Sequence, residues 1–196
     1  MHSVSHIAPD GTRVRLFSDG GFGTRLLAAL GGPTGGAEQI LVGVAENGDR
    51  GVLDFVAHQA KSRDLPWLPL VLDGASLRCW PATGRGGGPC PDCVERRRRQ
   101  HSREARLAAL LPPPGEAAFL PEHVDVAAAL VHRAVREFVH FGQSDAVYAA
   151  DLVHGSFERH RAIPVHACPR CDPPRPDGST WRFLAAALHS NAGAIG

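Results

Sequence analysis

The sequence predicts an α/β fold: a mostly parallel sheet with helices, clasped by a four-cysteine site and finished by a late antiparallel hairpin. Three observations predict it. Short apolar runs alternate with helical patterns, the arrangement of parallel strands joined by right-handed crossovers. The first run ends in a glycine turn, Gly20-Gly21-Phe22-Gly23, that opens a helix. Two Cys-x-x-Cys pairs, Cys90-Pro-Asp-Cys93 and Cys168-Pro-Arg-Cys171, have 74 residues between them, 94–167. Four thiolates in two knuckles are what a tetrahedral zinc ion takes, and four protein ligands leave no open position for chemistry.

The elements follow in order. Residues 14–17 are a short apolar run, and after the glycine turn residues 24–30 have helical spacing stopped by Gly31-Gly32-Pro33. Residues 39–45 read as a mostly buried strand, and 49–61 as a helix with Val52, Phe55, Val56 and Ala60 on one side. Residues 67–72 are a third strand, whose prolines predict an edge or a strand start. Asp73-Gly74 marks a turn before a further strand over 76–80. A glycine-rich loop over 84–89 delivers the first knuckle, and a helix runs from Asp92 until Leu111-Pro-Pro-Pro-Gly115 ends it. Residues 122–140 carry the clearest stripe, with Val124, Ala127, Val131, Ala134, Val135 and Phe138 opposed by Arg133, Arg136 and Glu137. Residues 146–153 and 157–165 form a hairpin around His154-Gly155 that leads into the second knuckle. A stiff proline-rich linker then precedes a terminal helix over 181–188. The domain reading is a short N-terminal segment over 1–12, one zinc-bearing domain over 13–171, and the linker with its helix over 172–196.

Composition narrows the class. At 196 residues the chain can bury about 70% of its unfolded surface, so zinc need not carry the whole fold. Hydrophobic content of 43% and charged content of 21% are those of a globular protein. A net charge of +1 carries no global signature of nucleic-acid binding. Lys61 is the one lysine, and the excess of arginine over lysine, with abundant Ala, Gly and Pro, fits a GC-rich coding sequence. No stretch approaches a membrane span, and the N-terminus has no secretory pattern. A cytoplasmic, reducing setting follows, in which paired cysteines more often bind metal than form disulfides. Cys79 reads as a buried thiol.

Each motif has a sharp and a bland reading. The gap between the knuckles is far wider than that of one zinc finger, so the ion clamps two distant segments; unrelated or redox cysteines are the bland alternative. Gly21-x-Gly23 matches half of a dinucleotide fingerprint, with Leu26 at the third glycine position and no acidic residue recognised at the next strand's end. Gly20, Gly21 and Gly23 are thus either a vestigial phosphate turn or a tight strand-to-helix turn. Arg96, Arg97, Arg98 and Arg99, with Arg103 and Arg106, make a basic helical face: a solvated surface, a dock for an acidic partner or peptide, or, least in keeping with the absence of interleaved aromatics, a nucleic-acid contact. The 11 histidines form no deaminase signature and no nucleophile elbow is present.

The order of strand, Gly turn and helix, then Trp67-Leu-Pro, then Pro89-Cys-Pro-Asp-Cys-Val-Glu-Arg96 and His166-Ala-Cys-Pro-Arg-Cys171, resembles the ubiquitin-activating-enzyme-like superfamily over residues 13–171. Within it the sequence is similar to the ThiF-like, zinc-bearing cyclodehydratase partner proteins of thiazole/oxazole-modified peptide (bacteriocin and thiopeptide) biosynthesis, a leader-peptide-binding family. The resemblance implies a reduced Rossmann-like sheet and one structural zinc ion on Cys90, Cys93, Cys168 and Cys171. It implies a partner without adenylation, so ATP is not expected, which helps to present a precursor peptide to a YcaO-type cyclodehydratase. The winged-helix module with which such proteins grip a leader is expected to be missing, since the first strand is reached by about residue 13. Relatives of this fold often pair through the sheet domain, so a homodimer is an expectation too.

Three functions follow from these readings. The first is a non-catalytic zinc scaffold in azoline-forming peptide maturation. The second is a small adenylating or sulfur-transfer enzyme with Cys79 as its spare thiol. The third is a zinc-stabilised interaction module that uses the arginine face.

Overall fold

The computed structural model describes residues 1–8, 12–30, 40–47, 49–84, 89–101, 119–142, 145–166 and 168–171. The expected linker and terminal helix over 172–196, the helix past residue 101 with Arg103 and Arg106, and most of the 84–89 loop lie outside them.

Seven strands form one sheet in chain order: β1 (His2–Ile7), β2 (Arg13–Ser18), β3 (Ile40–Glu46), β4 (Trp67–Asp73), β5 (Ser76–Cys79), β6 (Ala146–Asp151) and β7 (Ser156–Arg161). Among the described residues, four helices accompany it: α1 (Gly21–Leu30), α2 (Gly51–Arg63), α3 (Pro91–His101) and α4 (Pro121–Phe141). Only β2, β3 and β4 run parallel; the other four pairings are antiparallel. The mostly parallel sheet predicted from the sequence is therefore corrected to a mixed sheet with an antiparallel majority. The cause at β4–β5 is local. Gly74, at φ +58°, closes a turn too short for a crossover, and Asp73 pairs with Ser76. Within the short N-terminal segment, the polar alternation His-Ser-Val-Ser-His-Ile forms a strand that pairs antiparallel with β2.

The β3 strand is apolar on both sides because both of its faces are covered. Ile40, Val42 and Val44 face α1 and α4, whereas Leu41 and Ala45 face α2. β4 is central rather than an edge. Pro69 is tolerated there because its partner Trp80 lies one residue past the end of β5, where the ladder has stopped; Trp80 N–H donates to Pro69 O at 2.9 Å. The stripe of α4 is buried as its spacing predicts, with Leu130 added, and Gly142 at φ +72° stops the helix by donating to Phe138 O. Burying a side chain such as Leu130 contributes about 1.5–3 kcal/mol.

The two parallel connections step the same way along the sheet, yet α1 lies on one face and α2 on the other. They therefore have opposite hands, and one departs from the near-universal right-handed rule. At the C-terminal ends of β2 and β3 the chain consequently leaves toward opposite faces. That is the geometry of a topological switch point, where open α/β sheets place their crevice.

Candidate metal centre

The first knuckle is built by the start of α3. Pro91 occupies the first helical turn, where its missing N–H costs nothing, and Cys90 O accepts the first helical bond from Val94 at 3.1 Å. Cys90 and Cys93 thus share one side of a helix start. The second knuckle is a tight turn in which Cys168 N–H donates to Val165 O at 3.1 Å. The two are tied directly. Val165 N–H donates to Cys93 Sγ at 3.2 Å, and Arg97 reaches Pro164 O at 3.4 Å.

All four sulfurs lie within 4.8 Å of one another, with Cys90 to Cys168 at 3.7 Å and Cys93 to Cys171 at 3.4 Å. A thiolate tetrahedron with metal–sulfur bonds of about 2.3 Å has edges of roughly 3.8 Å, so the sulfurs fit one ion. A disulfide requires about 2.05 Å, and all five cysteines are free thiols. Cys93 is fully buried, Cys90 and Cys168 nearly so, and Cys171 half-buried. Burial pushes the Cys90 thiol up to about 11 and raises Cys171 as well. Burial also acts upward on Cys168, but the backbone amides of Arg170 and Cys171, with the neighbouring thiols, bring it down to about 7. Four such sulfurs are a donor set for a soft or borderline divalent cation, whose charge offsets the thiolates.

Sequence reasoning missed the residue that braces this centre. Asp92, between the first two cysteines, accepts from Arg50 at 2.8 Å and from Arg170 at 3.2 Å. It thereby links the start of α2, the first knuckle and the second. A carboxylate inside the first turn of a helix was the available signal.

The other sites resolve as follows. The arginine face is largely neutralised from within: Glu95 accepts from Arg98 at 2.9 Å and from Arg99 at 2.8 Å, and Arg97 also contacts Gln100. Arg96 is exposed beside Arg50 and Arg99 in a shallow cavity of about 270 Å³. The glycine turn sits at the switch point, and an acid does serve it. Glu46, at the end of β3, accepts from Gly23 N–H at 2.9 Å, while Ser18 Oγ accepts from Gly20 N–H at 3.3 Å. Side chains of the chain itself therefore occupy the amides that a phosphate would use. Cys79 lies in the sheet core with its thiol raised by burial, remote from solvent. Asp151 and His154 lock the exposed β6–β7 turn, with Asp151 Oδ1 accepting from both Val153 and His154 amides. Beside Cys90 and Cys171, a groove of about 780 Å³ runs along α2 past His58, Lys61 and Trp67.

Fold and site together define a mixed α/β protein that carries, beside its sheet core, a four-cysteine centre able to hold a metal ion. No family model and no curated protein matches the sequence. Solved structures do. A chain of the E. coli microcin synthetase McbBCD complex aligns at TM-score 0.54 and 20% identity, over 66% of this chain and 52% of that one. A heterocyclase in complex with substrate and cofactor aligns at 0.59 and 19%, over 82% and 25%. The heterocyclase TruD aligns at 0.53 and 19%, over 81% and 27%. The chain thus spans about half of the first protein and about a quarter of the other two, and at these identities the likeness is one of fold. Among the described residues, no helix is long and apolar enough to cross a membrane.

Proposed function

We propose that this chain is a non-catalytic, zinc-stabilised partner of a YcaO-type cyclodehydratase in ribosomal-peptide azoline biosynthesis, and that it helps to bind or present the precursor peptide in the cytoplasm. The observation that carries this reading is the convergence of Cys90, Cys93, Cys168 and Cys171 on a sheet whose fold recurs in a microcin synthetase and in heterocyclases. The ion proposed is zinc. When bound it would contribute charge and cross-linking rather than chemistry, because four protein ligands leave no site for water or substrate. The chain's own residues then do the positioning: Asp92, Arg50 and Arg170 fix the knuckles against α2, and the groove beside Cys171 stays open to a peptide.

The adenylating or sulfur-transfer alternative draws no support from the geometry. Glu46 fills the glycine turn, and the one spare thiol, Cys79, is buried among apolar side chains. The test is reconstitution. Azoline formation on a precursor peptide by a YcaO-type enzyme is measured with and without this chain, together with co-purification of the two proteins. Dependence on the chain and a stable complex are expected; turnover that is the same in its absence ends the proposal.

A further inference from the structure

One arginine of the α3 run stands apart from its neighbours. Asp92 and Glu95 serve this face, and each is shared. Asp92 Oδ1 accepts from Arg50 Nη2 at 2.8 Å and Oδ2 from Arg170 Nε at 3.2 Å. Glu95 accepts from Arg98 Nε at 2.9 Å and from Arg99 Nε at 2.8 Å. Among the described residues, the Arg96 guanidinium makes no hydrogen bond and no ion pair, although it lines the same cavity as Arg50 and Arg99.

That cavity, of about 270 Å³, is lined by Arg50, Arg96 and Arg99 together with Asp92 and Glu95. Arg96 and Arg99, three residues apart, share one side of α3, and Arg50 comes from the start of α2. A guanidinium carries five N–H donors. Arg50 commits Nη2 and Arg99 commits Nε, so both keep donors for a ligand. The two carboxylates thus hold two of the forks in place without exhausting them, as supporting groups do in a pre-organised site. Charge points the same way. Asp92 and Glu95 also serve Arg170 and Arg98 outside the lining, so five guanidinium groups share two carboxylates. Of the acids at the start of α2, Asp49 accepts the Gly51 amide and Asp54 lines the neighbouring groove. The positive end of α2 adjoins the cavity, because Arg50 is its N-cap residue.

We propose that this cavity binds a phosphate group, free or carried as a monoester, through Arg50, Arg96 and Arg99. A tetrahedral dianion offers an oxygen to each of three forks. A carboxylate offers two oxygens and one charge, which leaves one fork unpaired. The cavity has room for a phosphate with several waters, each of which takes about 30 Å³. The site is separate from the glycine turn, where Ser18 and Glu46 already take the Gly20 and Gly23 amides. It stands whether or not the chain serves a YcaO-type enzyme.

The experiment titrates the full, metal-loaded chain with inorganic phosphate and, separately, with glycerol phosphate, at about pH 8, where both probes carry nearly two charges. Chloride holds the ionic strength constant, so general screening does not change. The side-chain Nε–H NMR signals of Arg96 and Arg99 are expected to move along one saturating curve, and calorimetry to find one site per chain. The tighter of the two probes identifies the source of the phosphate. Arg96→Ala is expected to weaken binding on the order of tenfold, the contribution of one charge-assisted fork. Arg136→Ala, on the exposed side of α4, leaves it unchanged, and acetate binds more weakly than either probe. Far-UV circular dichroism checks that both variants are folded. No saturable shift with either probe, an Arg96→Ala variant that binds as well as the wild type, or an equal loss in Arg136→Ala would each overturn the proposal and leave a solvated basic surface. Acetate binding as tightly as phosphate would overturn it too, in favour of a dock for a partner's carboxylates.

Discussion

At the residue scale, the four cysteines are not interchangeable with the fifth. Cys93 is fully buried in the first turn of α3 and accepts the Val165 amide, so Cys93→Ser removes both a proposed ligand and the sulfur acceptor that ties the knuckles together. Elemental analysis is expected to find one zinc per wild-type chain, none on Cys93→Ser, and one still on Cys79→Ser, which instead loses about 1–3 kcal/mol by burying a hydroxyl in the sheet. Protons report the same site. Cys90, pushed up to about 11, and Cys171, raised by burial, hold their protons at pH 7.5, whereas Cys168, at about 7, has largely lost its own. A raised thiol pKa means stronger proton competition, so metal affinity rises with pH and falls as acid is added. Titration calorimetry at pH 7.5, in buffers of differing ionisation enthalpy, is expected to show release of at least two protons per ion; release of none would mean that the thiols are not the ligands.

At the element scale, the first knuckle depends on how α3 is pinned. Asp92→Ala cuts two ion pairs at once, to Arg50 and to Arg170, and both are partly exposed. Each is therefore worth at most about 1 kcal/mol in stability. The larger expected effect is kinetic: zinc transfer to a chromogenic chelator should accelerate severalfold over wild type, while Asp125→Ala, on the exposed side of α4, leaves the rate unchanged. The glycine turn makes a complementary prediction. A Cβ on Gly23 would lie 1.8 Å from Ser18 Oγ and one on Gly20 2.1 Å from Glu46 Oε1, so the turn is shaped around those side chains. Gly23→Ala is expected to lower the melting temperature by several degrees, a cost of about 1–3 kcal/mol for forced overpacking. What the sequence disclosed at this scale follows from periodicity. The α4 stripe and the doubly apolar β3 were legible because one period and one composition each dictate a face. β1 was not, because serines and histidines alternate along it with little apolar pattern, and its place comes largely from pairing with β2. Glu46 was missed because the expected acid belonged to an intervening strand; the opposite-handed crossovers set β3 itself beside the turn. The Glu95 pairings at i+3 and i+4 were readable in the spacing, and they turn most of a basic run into an internally balanced surface.

At the scale of the whole molecule, the metal centre and the sheet are separate bodies of packing. One buried cluster joins β2–β6 to α1 and α4, and a second joins the opposite face to α2. The cysteines form a third, against which, among the described residues, Val165 packs, and α3 contributes Val94 to the large clusters. The sheet therefore has its own apolar core, and an ion held by the four cysteines would fasten a peripheral layer to it. Chelation is expected to release α3 and residues 162–171 while β2–β4 and α4 stay folded, because local opening costs only the contacts that the opened part makes. Hydrogen exchange on the metal-free chain should show protection lost in 89–101 and 162–171 and kept in Leu41, Val42, Leu68 and Val131, with a far-UV spectrum diminished by little more than the share of one eleven-residue helix. Uniform loss of protection across β2–β4 would mean instead that the four cysteines hold the entire fold. The role as a partner would then rest on metal supply, since no docking surface would survive without the ion.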